Sequence, residues 1–471
     1  MTRHSDQTPL PGPANGQVSF WHAQLGQPEP GPPLEGDRNA DVAIIGAGYT
    51  GLWTAYYLAQ ARPDLRVEVL EARFPGYGAS GRNGGWLANS MTGGTERYVK
   101  AHGRTATEAF QHDLDAAVDE VIAVAAAEGI EADIVKGGEL LVARNPAQLS
   151  RLHALDAQLQ DWPSERHRVL DADELADRIR VAGALGSIHL PQCARLNPAK
   201  LVRGLAETVR RLGVRIHEQT PVRRIEGDRL VTDHGTVRAR HILRCTEGFT
   251  ALLPGHRRDW IPMNSSMIVT DPLPRHVWDR IGWDGMETVE DLAHAYVYLQ
   301  RTADGRIALG GRGVPYRYGS RVDADGRTAP ETVAALSRIL AEFFPAVRHD
   351  DGRVPVAHAW SGVLGVPRDW RPTVTYDPAT GHGHAGGYVG TGVTATNLAG
   401  RTLADLVLGQ DTARTRHPWV SHTVRRWEPE PLRYAGVHGL YRAYHLADAR
   451  ESAGRSSTHP LATLADLISG R

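Results

Sequence analysis

Two cysteines in 471 residues, Cys193 and Cys245, are too few for a disulfide framework, and neither stands at metal-ligand spacing. A reducing compartment is then the default, so the expected localisation is cytoplasmic. An excess of one charge is missing too: 53 basic residues against 54 acidic ones leave no overall field for nucleic acid or an anionic membrane. Local clusters such as Arg210-Arg211 and Arg223-Arg224 read as solvated helix and turn faces. No run of about eighteen apolar residues occurs to span a bilayer. The opening stretch MTRHSDQTPLPGPANGQ has no apolar segment of the kind a secretory signal needs. These absences argue against nucleic-acid partners, membrane spanning and secretion, and leave the oligomeric state open. With 41% hydrophobic and 23% charged residues, the composition is that of an ordinary globular protein. The length exceeds what one core holds, so two domains are expected, burying roughly three quarters of the unfolded chain's surface.

What the chain does have is glycine in informative places. Asp41 to Ile45 is an apolar, β-branched run that reads as a buried parallel strand, delivered into Gly46, Gly48, Tyr49, Thr50 and Gly51. Gly46 permits a tight turn and Gly48 lets a pyrophosphate approach the backbone with no Cβ in the way. Gly51 lets the following helix, from about Leu52 to Gln60, pack on the sheet. Anionic phosphate is favoured at the positive end of that helix. A second strand, Arg66 to Leu70, ends in Glu71 and Ala72. A carboxylate there accepts from both ribose hydroxyls of an adenosine, whereas a 2′-phosphate needs a basic group, so Glu71 favours FAD or NAD over NADP.

The next segment separates FAD from NAD. In Gly78-Ala79-Ser80-Gly81-Arg82-Asn83-Gly84-Gly85, small residues leave room for a flat ring while Ser80, Arg82 and Asn83 supply hydrogen bonds. This segment resembles the turn along pyrophosphate and isoalloxazine in the D-amino-acid-oxidase-like FAD-dependent oxidoreductases, which include glycine and sarcosine oxidases. Its wording is most similar to the gamma-glutamylputrescine oxidase branch. A third segment, Gly386-Gly387-Tyr388-Val389-Gly390-Thr391-Gly392-Val393, precedes a helix from about Ala395 to Leu408 and resembles the C-terminal flavin motif of the same family. A helix N-terminus there would stabilise the negative charge of reduced flavin.

The resemblance, over residues 38 to about 410, implies an α/β fold. It consists of a Rossmann-type FAD-binding domain interleaved with an antiparallel-sheet α+β substrate domain, plus a C-terminal helical extension. Residues 1–37, rich in Pro and Gly, read as an irregular arm anchored by Phe20 and Trp21. Residues 38–100, 198–250 and 351–410 are assigned to the FAD-binding domain, 101–197 and 251–350 to the substrate domain, and 411–471 to the extension. Within them, 105–128 read as a helix ended by Gly129, and 134–144 as a turn and strand. The stretches MNSSMIVT, HAYVYLQR and RIALGGRG read as short antiparallel strands. Asn197-Pro198 opens a helix through Leu212, and Val214 to Val222 reads as a strand whose end, by the resemblance, meets adenine through the backbone of Val222. His241 to Gly248 takes the place of a strand and turn beside FAD, with Thr246 and Gly248 at the cofactor. Arg244, Cys245 and Glu247 are unusual there.

The implied chemistry is oxidation of the C–N bond of a small-molecule amine to an imine, which water hydrolyses, with electrons passing through FAD to dioxygen or another acceptor. An aromatic, desolvated pocket would keep the amine neutral. Tyr296, Tyr298, Trp360 and Tyr388 are candidates for its wall. Amino-acid-oxidising relatives carry an arginine that clamps the substrate carboxylate where this chain has Leu364, within Trp360-Ser361-Gly362-Val363-Leu364-Gly365. A leucine makes no such charge-assisted pair. An amine without an adjacent carboxylate is therefore favoured, or one whose acidic group is held farther away by Arg312 or Arg317. The lysine that some sarcosine-oxidising relatives use toward dioxygen maps near Ala308, which leaves oxygen use open. Non-covalent FAD is expected, because neither cysteine lies in the late segment used for attachment and Arg82 replaces the histidine used by others. His382 and His384 lack a third ligand at metal spacing, so no metal is expected. Two alternatives stand beside this reading: oxidation of an α-amino or N-methyl amino acid, and an FAD-binding protein without turnover. A nicotinamide dehydrogenase would lack a yellow cofactor.

Overall fold

The computed structural model describes residues 13–162, 167–311 and 313–469. One sheet is built on five parallel strands in the spatial order Arg215–His217, Val67–Leu70, Arg38–Ile45, Thr236–Arg244 and His382–Gly386. Val42, Ala43, Ile44 and Ile45 are all buried in its central strand, because a strand covered on both faces must be apolar at every position. Helices Tyr49–Ala61, Pro198–Arg211 and Gly392–Val407 pack Leu52, Leu201, Leu205, Leu398 and Leu403 into a single core cluster. The second of these starts where its sequence says it should. Asn197 accepts from the N–H groups of Ala199 and Lys200, and Pro198 occupies the first turn, where no donor is needed.

The other large sheet has nine strands, in the order Ala14–Asn15, Val356–Pro367, Trp260–Thr270, Ile307–Gly311, Tyr298–Arg301, Thr288–Asp291, Glu139–Ala143, Gly186–Leu190 and Arg168–Leu170. Its core holds Leu140, Val289, Leu299, Leu309 and Leu340. The chain alternates between the two sheets, giving the α/β architecture of two interleaved units, and ends in helices Leu432–Ser452 and Pro460–Ser469. No helix among the described residues is long and apolar enough to cross a membrane.

Several expectations need adjustment. The second sheet is mixed, because Ala14–Asn15 runs parallel to Val356–Pro367, and Thr288–Asp291 parallel to Glu139–Ala143. Val356–Pro367 pairs with Trp260–Thr270 along almost its whole length, so the return to the parallel sheet comes after Pro367 and not at 351. The strand expected over 214–222 ends at His217. Gln219 turns the chain with φ +49°, Pro221 has no N–H to donate, and Val222 opens a hairpin, Val222–Glu226 with Arg229–Thr232. Of HAYVYLQR only Tyr298–Arg301 is strand, so Tyr296 stands before it. The described part of the arm is not irregular throughout: it supplies an edge strand and the helix Phe20–Gln24, in which Phe20 and Trp21 are buried.

Candidate active site

Parallel strand ends and helix N-termini meet at one edge of the parallel sheet, where a cavity of about 750 Å³ opens. That size suits a small-molecule site. Strand Arg38–Ile45 feeds its first wall through Gly46, Gly48, Tyr49 and Thr50. Gly46 has φ +102°, and a Cβ on it would lie 2.7 Å from the Cys245 carbonyl oxygen, so no other residue fits without a shift. Gly51 faces away from the cavity, its α-carbon against the Gly46 carbonyl, where a Cβ would come to 2.1 Å. Gly48 has no side chain to cap the helix that starts at Tyr49, so Ser80 Oγ takes the Tyr49 N–H instead, and the helix start lies at the cavity.

Glu71 lines the same cavity, with Ala72 beside it. Its Oε2 accepts from Ala47 N at 2.8 Å and its Oε1 from Arg73 N at 2.9 Å. Burial nevertheless pushes its pKa up to about 7, the two backbone donors only partly offsetting the loss of water. Val222 lines the wall as well, as the first residue of the hairpin, near Gln219 and Arg223. Sequence reading missed those last two, Gln219 in a turn and Arg223 in the hairpin strand, neither within a motif.

The second glycine-rich segment is tied to the first by Ser80, whose Oγ accepts from Tyr49 N at 2.8 Å. Asn83 shapes the turn: its side chain donates to the carbonyls of Ala79 and Ser80 and accepts from Gly85 N at 2.8 Å. Ser80 and Asn83 reach the cavity, whereas Gly81, Arg82, Gly84 and Gly85 form the layer behind. Gly81 accepts from Ser19 Oγ at 2.7 Å, Gly84 from the Gln300 amide, and Gly85 from Leu196 N at 2.8 Å. Arg82 is buried, donates through Nε to the Tyr77 carbonyl at 2.7 Å and sits 4.6 Å from the Tyr77 ring centroid, with one terminal nitrogen lacking a hydrogen-bond partner.

The third wall combines the turn after Thr236–Arg244 with the turn after His382–Gly386. Cys245, Thr246, Glu247 and Gly248 come from the former, and Tyr388, Gly390, Gly392 and Val393 from the latter. Gly387 and Thr391 support this wall from outside, Thr391 Oγ1 donating to the Tyr388 carbonyl at 3.1 Å. Tyr388 is buried with its hydroxyl 3.2 Å from Thr50 Oγ1, so it joins the two helix starts. Helix Gly392–Val407, like Tyr49–Ala61, has no side-chain cap and begins at the cavity.

The other expected wall residues stand elsewhere. Trp360 is fully buried, donates Nε1–H to the Arg82 carbonyl at 2.9 Å, and packs with Phe20, Trp21 and Ala308 behind the second turn. Tyr298 packs its ring on Gly84 and Gly310, its hydroxyl 2.9 Å from Ser265 Oγ. Neither lines the cavity, because the arm helix and residues 83–85 cover that face of the sheet. Arg317 pairs with Asp323 at 3.1 Å and lines a separate small pocket, and Arg312 lies outside the described residues. Leu364 does line the main cavity, next to Val363. Cys245 is buried, its thiol pushed up to about 12, and Cys193 is buried against Thr288. His382 bonds the Gly227 carbonyl and His384 the Thr375 hydroxyl.

This donor set fits FAD: two helix starts at the cavity for a pyrophosphate and an electron-rich ring, a carboxylate for ribose hydroxyls, and a cavity of matching size. The comparisons with known proteins agree. The family model described as DAO, FAD dependent oxidoreductase, matches residues 41–406. A probable oxidoreductase OrdL from Rhizobium meliloti is 28% identical over 408 residues, covering 85% of this chain and 90% of that protein. Gamma-glutamylputrescine oxidoreductase of Escherichia coli is 27% identical over 401 residues, covering 83% and 89%. The crystal structure of glycine oxidase from Geobacillus kaustophilus superimposes with a TM-score of 0.65 at 22% identity, covering 82% of this chain and all of that one.

Proposed function

Because the chain belongs to the FAD dependent oxidoreductase family and is an FAD enzyme, we propose that it oxidises the C–N bond of a small amine that carries no carboxylate on the reacting carbon. The carrying observation is the wall at Leu364. Leu364, Val363 and Tyr388 share it, and among the described residues the arginines lining the cavity, Arg73 and Arg223, belong to the part that holds Glu71. Arg223 is already paired with Asp233. A carboxylate held beside Leu364 would lose its water without gaining a guanidinium partner among the described residues. An amine meets the opposite situation. An apolar wall disfavours its ammonium form and so supplies the neutral amine that oxidation requires.

When bound, FAD supplies the acceptor for the hydride that leaves the carbon beside nitrogen. The protein's own residues hold and orient. The helix starts at Tyr49–Ala61 and Gly392–Val407 favour negative charge, Ser80 and Asn83 fix the second turn, and Glu71, held by two backbone N–H groups, would accept from ribose hydroxyls. The buried thiol of Cys245 stays protonated and unreactive, which supports dissociable FAD. The relative named as a gamma-glutamylputrescine oxidoreductase supports the amine class. Dioxygen is proposed as the acceptor, with hydrogen peroxide as the product.

Anaerobic mixing of the yellow protein with simple amines, diamines, glycine and sarcosine tests this. Bleaching is expected with amines faster than with either amino acid. Faster bleaching by glycine or sarcosine would refute the reading and favour amino-acid oxidation. Retention of FAD with no bleaching by any amine would favour a protein without turnover.

A further inference from the structure

Glu247 is an acid at a place where the cofactor reading calls for small residues, and the nucleotide motifs give it no task. It opens the short helical turn Glu247–Leu252 with φ +41°, a left-handed conformation that costs a residue with a long side chain. Its side chain lies in the cavity wall. Oε2 accepts from Gly387 N at 3.2 Å and Oε1 from Tyr388 N at 3.2 Å. The carboxylate is seated tightly: a Cβ on Gly365 would lie 2.2 Å from Oε2, and one on Gly386 3.3 Å from it. Two chain segments more than a hundred residues away in sequence, at Gly365 and at 386–388, thus converge on the carboxylate.

The held segment leads directly into the cofactor wall. After Tyr388 come Val389 with φ +54°, Gly390 with φ +119° and the free start of helix Gly392–Val407. A turn of such conformations keeps its shape only where something over-determines it, and the carboxylate fixes two consecutive N–H groups at its entry. No ion pair to Glu247 is found among the described residues. The titratable groups sharing the wall are Tyr388 and Cys245, both kept protonated by burial, Tyr388 with its pKa raised and Cys245 at about 12. Of the charged groups packed nearby, Arg244 faces Asp259 at 3.8 Å and His384 bonds Thr375. Burial raises the carboxyl of Glu247 itself to about 7, so near neutral pH it is ionised in a large share of molecules.

We propose that Glu247 is a positioning residue for the flavin, locking the 386–392 turn in its cofactor-binding shape and placing one negative charge beside the bound ring system. The inference rests on the cavity being the FAD site. Negative charge there opposes the electrons the ring accepts, so removing it makes the bound flavin easier to reduce.

The test compares wild type with Glu247→Gln in two measurements on purified protein: FAD dissociation from the reconstituted holoprotein and the midpoint potential of bound FAD. A glutamine cannot accept both N–H groups, so FAD binding is expected to weaken by about ten- to a hundredfold, with a higher midpoint potential. Wild-type affinity together with wild-type potential would overturn the inference. So would a loss of affinity matched by an equal loss of apoprotein stability with the potential unmoved, which marks a purely structural residue. Should Glu247→Gln fail to fold, Gly365→Ala displaces the carboxylate from outside without removing its charge. Weakened FAD binding then supports the lock and unchanged binding overturns it. Colour in the wild-type protein tests the site assignment separately.

Discussion

Glu71 gives the most direct quantitative handle on the site. In the apoprotein its pKa is raised from 4.5 to about 7 by burial. FAD hydroxyls donating to it would favour the carboxylate and pull that value back down, so binding releases a proton. Affinity is then full above about pH 7 and falls roughly tenfold for each pH unit below it, or about 1.4 kcal/mol per unit, until the pKa of the bound form is reached. If the bound form returns to its ordinary value, the whole effect is about 3 kcal/mol, more than a hundredfold in Kd. Titrating apoprotein with FAD between about pH 5 and pH 8, followed by quenching of flavin fluorescence, reads this slope. Glu71→Gln should flatten it and set affinity near the low-pH value of the wild type. An identical slope in Glu71→Gln, or no slope in the wild type, would refute the reasoning. Apoprotein stability should run in a fixed direction too. The folded carboxyl holds its proton up to a higher pH than the unfolded one, so its contribution falls as pH rises from 4.5 to about 7. FAD should reverse that loss.

Leu364→Arg should place a guanidinium in the cavity and shift the ratio of flavin bleaching rates toward glycine and sarcosine by at least about tenfold; an unchanged ratio would remove the argument from Leu364. Trp21→Phe keeps the buried ring but loses the 2.8 Å bond from Nε1 to the Asn83 carbonyl, so thermal unfolding should report about 1 kcal/mol of loss with faster FAD release. Gly51→Ala forces a Cβ to 2.1 Å from the Gly46 carbonyl and should abolish the yellow colour of the purified protein. Glu451, whose side chain is 1% exposed, accepts from Arg151 Nη2 at 2.8 Å and from His459 N at 2.8 Å. Glu451→Ala should leave Arg151 Nη2 and His459 N without this acceptor, cost about 1 to 3 kcal/mol, and speed hydrogen exchange in the C-terminal helices first.

Much of the site was legible because its chemistry is local. Gly46, Asn83 and Gly392 act through the turns in which they lie, and Glu71 and Ser80 stand at fixed spacing after the first turn, from whose N–H groups they accept, so spacing marks them. Asn197-Pro198 announces its helix by the same logic of caps and missing donors. Tyr298 and Trp360 were harder. Aromatics at strand positions say that a face is covered, but not by what, and here the cover is the arm helix and the second turn. Glu247 stood out in sequence only as an oddity, since its partners Gly387 and Tyr388 lie 140 residues and more away.

The sequence by itself determined the glycine-rich strand-to-helix turn, the carboxylate that ends the second strand and the order of the three glycine-rich segments, because each depends on backbone conformations that only certain residues permit within a few positions. Tertiary structure alone decided that Val356–Pro367 joins the nine-stranded sheet, that the arm backs the second turn, and that Glu247 meets the third. Those outcomes turn on strand pairing and packing between distant segments, where many partners satisfy the same local pattern and only the assembled fold selects one.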